Sequence, residues 1–217
     1  RYQLQSLRMS VNLFKGVVTS RARIEIVVPP FVRPDLTTSS GALQVEGEYA
    51  SARPLRLRSS TGDIELTGWA PEVEMRTTNG DMRVRAPRAV EGLLARTASG
   101  EVFLTGGARR VRCDTSSGNV HLDGLLGPIG IATTSGNVTG RFDALGPKDE
   151  VRVSSSSGKV RVTLPPGSTP GGELTSARGE IRSVYAGEAD PKGGRLRLAG
   201  SGPRVVVTTT SGRVELF

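Results

Sequence analysis

The phrase "TTSSGALQV" at residues 37–45 returns along the chain as "RSSTGDIEL", "RTTNGDMRV", "RTASGEVFL", "DTSSGNVHL", "ATTSGNVTG" and "SSSSGKVRV". With the glycine as reference, the copies fall at Gly41, Gly62, Gly80, Gly100, Gly118, Gly136, Gly158, Gly179 and Gly212. The intervals are 21, 18, 20, 18, 18, 22, 21 and 33 residues. A unit of about 20 residues cannot bury an apolar face alone, so a chain that repeats one must stack its copies around a shared interior.

The residues flanking each glycine say how. Two positions after it stand Leu43, Ile64, Met82, Val102, Val120, Val138, Val160, Ile181 and Val214, all apolar. Four positions after it, only Gly140 and Ser183 break the same pattern. Five positions before it stand Leu36, Leu57, Met75, Ala95, Cys113, Ile131, Val153, Leu174 and Val207. Alternation with period 2 on both sides predicts two short strands per repeat, each with one buried face. The corner between them reads T/S-x-S/T/N-G and asks for glycine at positive φ. A hydroxyl recurs three before every glycine, from Thr38 to Thr209, and the column is expected to bond copy to copy.

The pattern therefore predicts an all-β fold: a single-stranded β-helix, or β-solenoid, of about nine coils with a period of about 20 residues. At about 4.8 Å per layer, nine layers span roughly 43 Å. Sandwich turns do not repeat residue by residue in this way, and propeller blades need about 40 residues each. Aromatic residues are only 4% of the chain, so Val, Leu and Ile must fill the interior.

Residues 1–35 contain "LQSLRMSVNLF" and "ARIEIVVPP" without a full phrase, and are expected to form degenerate coils capping the N-terminal end. Residues 36–217 are read as the repeats, continuous with the cap as one domain. An irregular insertion at about 185–203, "YAGEADPKGGRLRLAGSGP", accounts for the long last interval. The final repeat ends at Phe217, and its bare edge calls for cover by the insertion or by another molecule, so self-association through solenoid ends is a further expectation.

A formal charge of +8 favours acidic partners: protein, anionic glycan or an envelope surface. The aromatics that would stack on bases are scattered, which disfavours nucleic acid. One cysteine excludes an intramolecular disulfide. No run of about 18 apolar residues exists, so no membrane span is expected in this segment. Arg1 in place of methionine suggests either a trimmed sequence or a processed product, with a removed upstream signal peptide or anchor as one expectation.

Few residues point to chemistry. His121, the single histidine, has Asp123 beside it and Asp114 across the turn, a pair without a partner nucleophile. Cys113 falls in a core column. No metal-ligand spacing and no cofactor motif is present. Asp63, Asp81 and Glu101 form an outward acidic column directly after the glycine, and Arg58, Arg76 and Arg96 form a basic column four before it. The two columns are expected to screen each other as solvated ion pairs. The basic column, with Lys192 and Arg195 in the insertion, supplies the candidate binding residues.

The phrase T-x-S-G-x-[VI]-x-[LV] at this spacing, with "VRVTLPPGSTPGGELTSARGEIRSV" joining strand, Pro-Pro turn and next phrase, resembles the bacterial toastrack domains, an adhesin-like family. The resemblance covers roughly residues 24–217. It implies a single-stranded β-helix of bacterial envelope proteins, some tied to membrane-stress signalling, with no assigned catalytic residues. The expected function is a non-enzymatic envelope or secreted module for adhesion, scaffolding or stress-linked protein association, with the cytoplasm the other compartment left open. The alternatives are a carbohydrate-active β-helix acting on acidic polysaccharide, which needs a deep acidic cleft around Asp114, His121 and Asp123, and an end-to-end assembling subunit.

Overall fold

The structure, a computed structural model, describes residues 35–50, 53–191 and 193–217, and the backbone of 7–13 and 22–28. Among the described residues every regular element is a strand. Two open the chain, β1 (Leu7–Leu13) and β2 (Ala22–Val28). Each repeat then contributes one strand on either side of its glycine.

The strands before the glycine are β3 (Asp35–Ser40), β5 (Leu55–Thr61), β7 (Glu72–Arg76), β9 (Gly92–Ser99), β11 (Val111–Ser117), β13 (Ile129–Ser135), β15 (Glu150–Ser157), β17 (Gly171–Ser176) and β21 (Arg204–Thr209). They form one sheet, called B, in parallel register. The strands after it are β4 (Leu43–Glu48), β6 (Ile64–Trp69), β8 (Met82–Arg85), β10 (Val102–Thr105), β12 (Val120–Leu125), β14 (Val138–Phe142), β16 (Val160–Thr163), β18 (Ile181–Ser183) and β22 (Val214–Leu216). They form sheet A, also parallel. About six turns, from Gly41 to Gly158, follow one another in unbroken chain order.

The two sheets enclose one interior. Leu57, Met75, Cys113, Ile131, Val153 and Val207 from sheet B meet Ile64, Met82, Val102, Val120, Val160 and Val214 from sheet A in a single cluster. A third column closes the far corner of each coil: Tyr49, Ala70, Val90, Ala108, Leu125, Phe142 and Leu164, all buried. Apolar side chains every second residue cannot be buried by one layer and are covered only by the next, which is why the stack forms.

Seven corner glycines, Gly41 to Gly158, have φ between +114° and +151°. Gly179 and Gly212 do not, which corrects the expectation of one conformation throughout. They need glycine for another reason: a Cβ there would lie 2.0 Å from Gly212 O and 1.8 Å from Gly158 O respectively. The hydroxyl column is buried from end to end, but its members do not bond one another as expected. They serve the corner backbone instead. Thr38 and Thr97 donate to Ser40 O and Ser99 O (3.0 and 3.1 Å), and Ser176 donates to Gly212 O (2.9 Å) while accepting from Gly179 N–H (2.8 Å). The hydroxyls of Ser59, Thr115 and Thr133 have no partner.

Two further expectations are corrected at the ends. Within residues 1–35, β1 and β2 form an antiparallel hairpin rather than degenerate coils, and β1 pairs antiparallel with β4. At the other end the last repeat is not outermost: β21 lies between β15 and β17, and β22 between β16 and β18. The insertion supplies β19 (Gly187–Ala189) and β20 (Arg195–Ala199), and β20 pairs antiparallel with the free side of β17. Leu216 is consequently buried, and the edge of the final repeat is already covered.

Candidate docking face

In a parallel stack, outward residues at one repeat position line up across layers. On sheet B this produces the ladder Arg58, Arg76, Arg96, Asp114, Ala132, Ser154, Thr208, Thr175, Arg195. The predicted basic column is therefore a physical neighbourhood, and Arg195 stands at the far end of the same ladder. Lys192 lies outside the described residues.

The predicted screening by Asp63, Asp81 and Glu101 does not occur. Arg58 pairs with Asp35 (3.3 Å) and Glu74 (3.8 Å), Arg96 pairs with Asp114 (3.1 Å), and Arg195 pairs with Glu173 (2.8 Å). Arg76 makes no ion pair among the described residues. The acidic column lies beyond the corner and is occupied with backbone. Asp63 accepts from Asp81 N–H (2.8 Å) and Asp81 from Glu101 N–H (2.9 Å). Asn119 and Asn137 extend the ladder to Asn137 N–H and Lys159 N–H (2.9 Å each). These side chains tie layer to layer and leave the arginines to other partners.

The feature that sequence reasoning missed is beside the arginine ladder. In the neighbouring outward ladder the order is Arg56, Glu74, Leu94, Arg112, Gly130, Arg152, Val206, Glu173, Arg197. Gly130 interrupts it: a Cβ there would meet nothing within 4 Å, and Ala132 is the next outward residue on the strand. The result is a hollow of about 600 Å³ over β9, β11, β13 and β15, floored by Leu94, Pro128, Gly130 and Ala132 and walled by Arg112 and Arg152. A second hollow of about 390 Å³ adjoins it through Asp114 and Ala132 and reaches Arg76 and Arg96. The signal was present in "IGIATTS", where Gly and Ala stand at positions that carry Arg and Asp one layer below.

The residues considered for chemistry do not converge. Asp114 faces outward from sheet B, whereas His121 and Asp123 lie on sheet A. His121 stacks on Phe103 (5.0 Å between centroids), with Arg83 over the other ring face (5.4 Å). Asp123 is held by Arg141, whose hydrogen bond keeps its carboxyl below the ordinary range. Cys113 is fully buried, and burial pushes its thiol up to about 12. No group of three or more His, Cys, Asp or Glu among the described residues could hold a metal ion. No helix among them is long and apolar enough to cross a membrane.

Among the described residues Glu215 is the one buried charged residue, and it is surrounded by cations: Lys159 (2.6 Å), Arg161 (2.7 Å) and Arg213 (3.9 Å). The Lys159 hydrogen bond is the largest influence holding its carboxyl below the ordinary value. The cluster joins the β16 layer of sheet A to the β22 layer and is structural.

Residues 31–122 match the family model Toastrack DUF4097, a domain of unknown function with a β-helix fold. The matched stretch takes in β3 and ends within β12, and the later layers continue its parallel ladders with one register shift, between Asp123 and Leu125 where β12 meets β14. No curated protein and no solved structure matches the chain.

Proposed function

We propose, with the toastrack-type β-solenoid as premise, that this chain is a non-catalytic docking scaffold of the bacterial envelope, and that the outer face of sheet B receives an acidic partner. The observation that carries the reading is the pair of adjoining hollows on that face, rimmed by Arg76, Arg96, Arg112 and Arg152. A rigid stack holds these groups at a fixed spacing. Binding then requires little reordering of the scaffold, and weak contacts add along the axis.

The experiment is direct binding of polyglutamate and polygalacturonate to the full chain, measured at two salt concentrations. Binding that weakens with salt and is lost in the triple substitution Arg58→Ala, Arg76→Ala, Arg96→Ala supports the reading. Equal binding by that variant places the contact elsewhere. Cell fractionation checks the compartment: recovery of the protein in the cytosolic fraction alone overturns the envelope assignment.

A further inference from the structure

We propose that the hollow over Gly130 is a clamp for an acidic peptide segment, in which one apolar side chain of the partner seats on Leu94, Pro128, Gly130 and Ala132 while carboxylates on either side pair with Arg112 and Arg152. The inference rests on the docking-face reading above and adds the chemistry of the partner.

The geometry follows from the ladder. Gly130 sits between Arg112 and Arg152 in adjacent strands, so two guanidinium-bearing positions flank a gap at a separation of two layers, about 9.6 Å. The hollow of about 600 Å³ has room for a Leu or Phe side chain and the backbone that carries it. Both arginines are paired only to exposed neighbours on their own strands, Asp114 (3.5 Å) and Glu150 (2.8 Å). Exposed pairs of this kind contribute little. A partner's carboxylates replace them at small cost, and once the floor is covered the new pairs lie in a drier site where they are stronger.

An extended peptide fits this pattern. Residues two apart share a face, so the sequence acidic-x-apolar-x-acidic places two carboxylates about 13 Å apart with the apolar side chain between them. Two long arginine side chains leaning outward span the difference. A uronate polymer fits less well, because its ring hydroxyls would lie over Leu94, Pro128 and Ala132 and lose water without gaining acceptors. Nucleic acid finds no aromatic side chain in the lining on which to stack.

Gly130 makes the test clean. Its φ is not in the left-handed region and the space beside it is open, so a larger residue fills the hollow without straining the strand. The full chain is titrated into a labelled Gly-Glu-Ser-Leu-Ser-Glu-Gly peptide and followed by fluorescence anisotropy. Gly130→Leu is expected to weaken binding by about tenfold or more with an unchanged melting temperature. The pair Arg112→Ala with Arg152→Ala, and separately a peptide with serine in place of leucine, are expected to do the same. If Gly130→Leu binds as tightly as the unaltered chain, the clamp is wrong. If, in that case, Arg76→Ala with Arg96→Ala abolishes binding, the docking face stands without it. If polygalacturonate binds and the peptide does not, the partner is a polysaccharide and the assignment to a peptide falls. If the unaltered chain binds none of peptide, polyglutamate and polygalacturonate, the docking-face reading falls as well.

Discussion

Gly118 and Gly130 are both glycines of the central layers, and the structure assigns them opposite responses to a side chain. At Gly118 φ is +143°, and a Cβ would stand 1.9 Å from Gly100 O and 2.6 Å from Gly100 C, both backbone atoms of the layer below. Relief to ordinary contact requires opening the corner by about 1.5 Å, roughly a third of the layer spacing. That movement strains Gly100 N–H to Ser117 O and Gly118 N–H to Ser135 O, each now 3.0 Å. Two weakened hydrogen bonds cost about 0.5–1.5 kcal/mol each, and the unfavourable φ adds about 1–3 kcal/mol. Gly118→Ala is therefore expected to lose about 4 kcal/mol. For a chain of this size that corresponds to a fall of roughly 8–16 °C in melting temperature. Gly130→Val meets open space in a strand, where a β-branched residue is favoured, and is expected to change stability by about 0 to +1 kcal/mol. Thermal melts by far-ultraviolet circular dichroism, on matched samples, compare the two. A Gly118→Ala variant melting within about 2 °C of the unaltered chain, or a Gly130→Val variant falling as far as Gly118→Ala, refutes the claim that layer contact governs the corners.

Ile131 is buried between the sheets, so Ile131→Asp leaves a carboxylate without a partner and is expected to cost at least about 3 kcal/mol, read as a lower urea midpoint; an unchanged midpoint would deny its inward placement. Thr115→Val removes a buried hydroxyl that has no partner and is expected to be neutral or stabilising, whereas Ser176→Ala removes two hydrogen bonds and is expected to cost about 1–2 kcal/mol. The opposite ranking in denaturant titrations contradicts the role given to the hydroxyl column. Glu215 has a carboxyl held below its ordinary 4.5 by Lys159 and Arg161, so its pairing contributes stability that is present above that pH and is lost as pH falls through the lower folded value. Glu215→Gln is expected to flatten the acid limb of the stability curve, and an acid limb identical to that of the unaltered chain would show that this group does not set it.

The fold was legible because the interior imposes one requirement on every repeat. Each coil must supply apolar residues at fixed offsets and a corner without a side chain, and the sequence displays both at a constant phase. The Arg58, Arg76 and Arg96 alignment was legible for the same reason, since in-register stacking turns a sequence offset into a spatial neighbour. Partners within the outward columns were not legible. Asp81 is two residues from Arg83 and pairs with it (2.7 Å), yet it also caps Glu101 N–H a full coil away, and nothing in the alternation distinguishes these uses. The hollow was overlooked because a glycine outside the corner phase reads as a gap in a pattern, and only the arginines one layer above and below make that gap a shape.

The exchanged order of the last two layers follows from charge and edges together. Arg161, Arg182 and Glu215 all stand three residues after their corner glycine, so they share one outward ladder on sheet A. Stacked in chain order, Arg161 would lie directly against Arg182. The observed order places Glu215 between them, where it accepts from Arg161 (2.8 Å) and lies opposite Arg182. The same order leaves β17 outermost in its parallel stack, the only position from which β20 can add antiparallel to it. The two ends of the solenoid are thereby closed on opposite sheets. The hairpin β1–β2 covers sheet A at the first end, and β20–β19 covers sheet B at the last, while β3 and β18 keep free sides among the described strands. In an end-to-end stack continued in register, the free edge of β18 would face β2, and the free edge of β3 would face β19. Because β1 runs against both β4 and β2, and β20 against both β17 and β19, the outermost strands β2 and β19 run with the parallel ladder again, so each hairpin interrupts the repeat by one reversed strand and strand direction alone sets no bar to extension at either end.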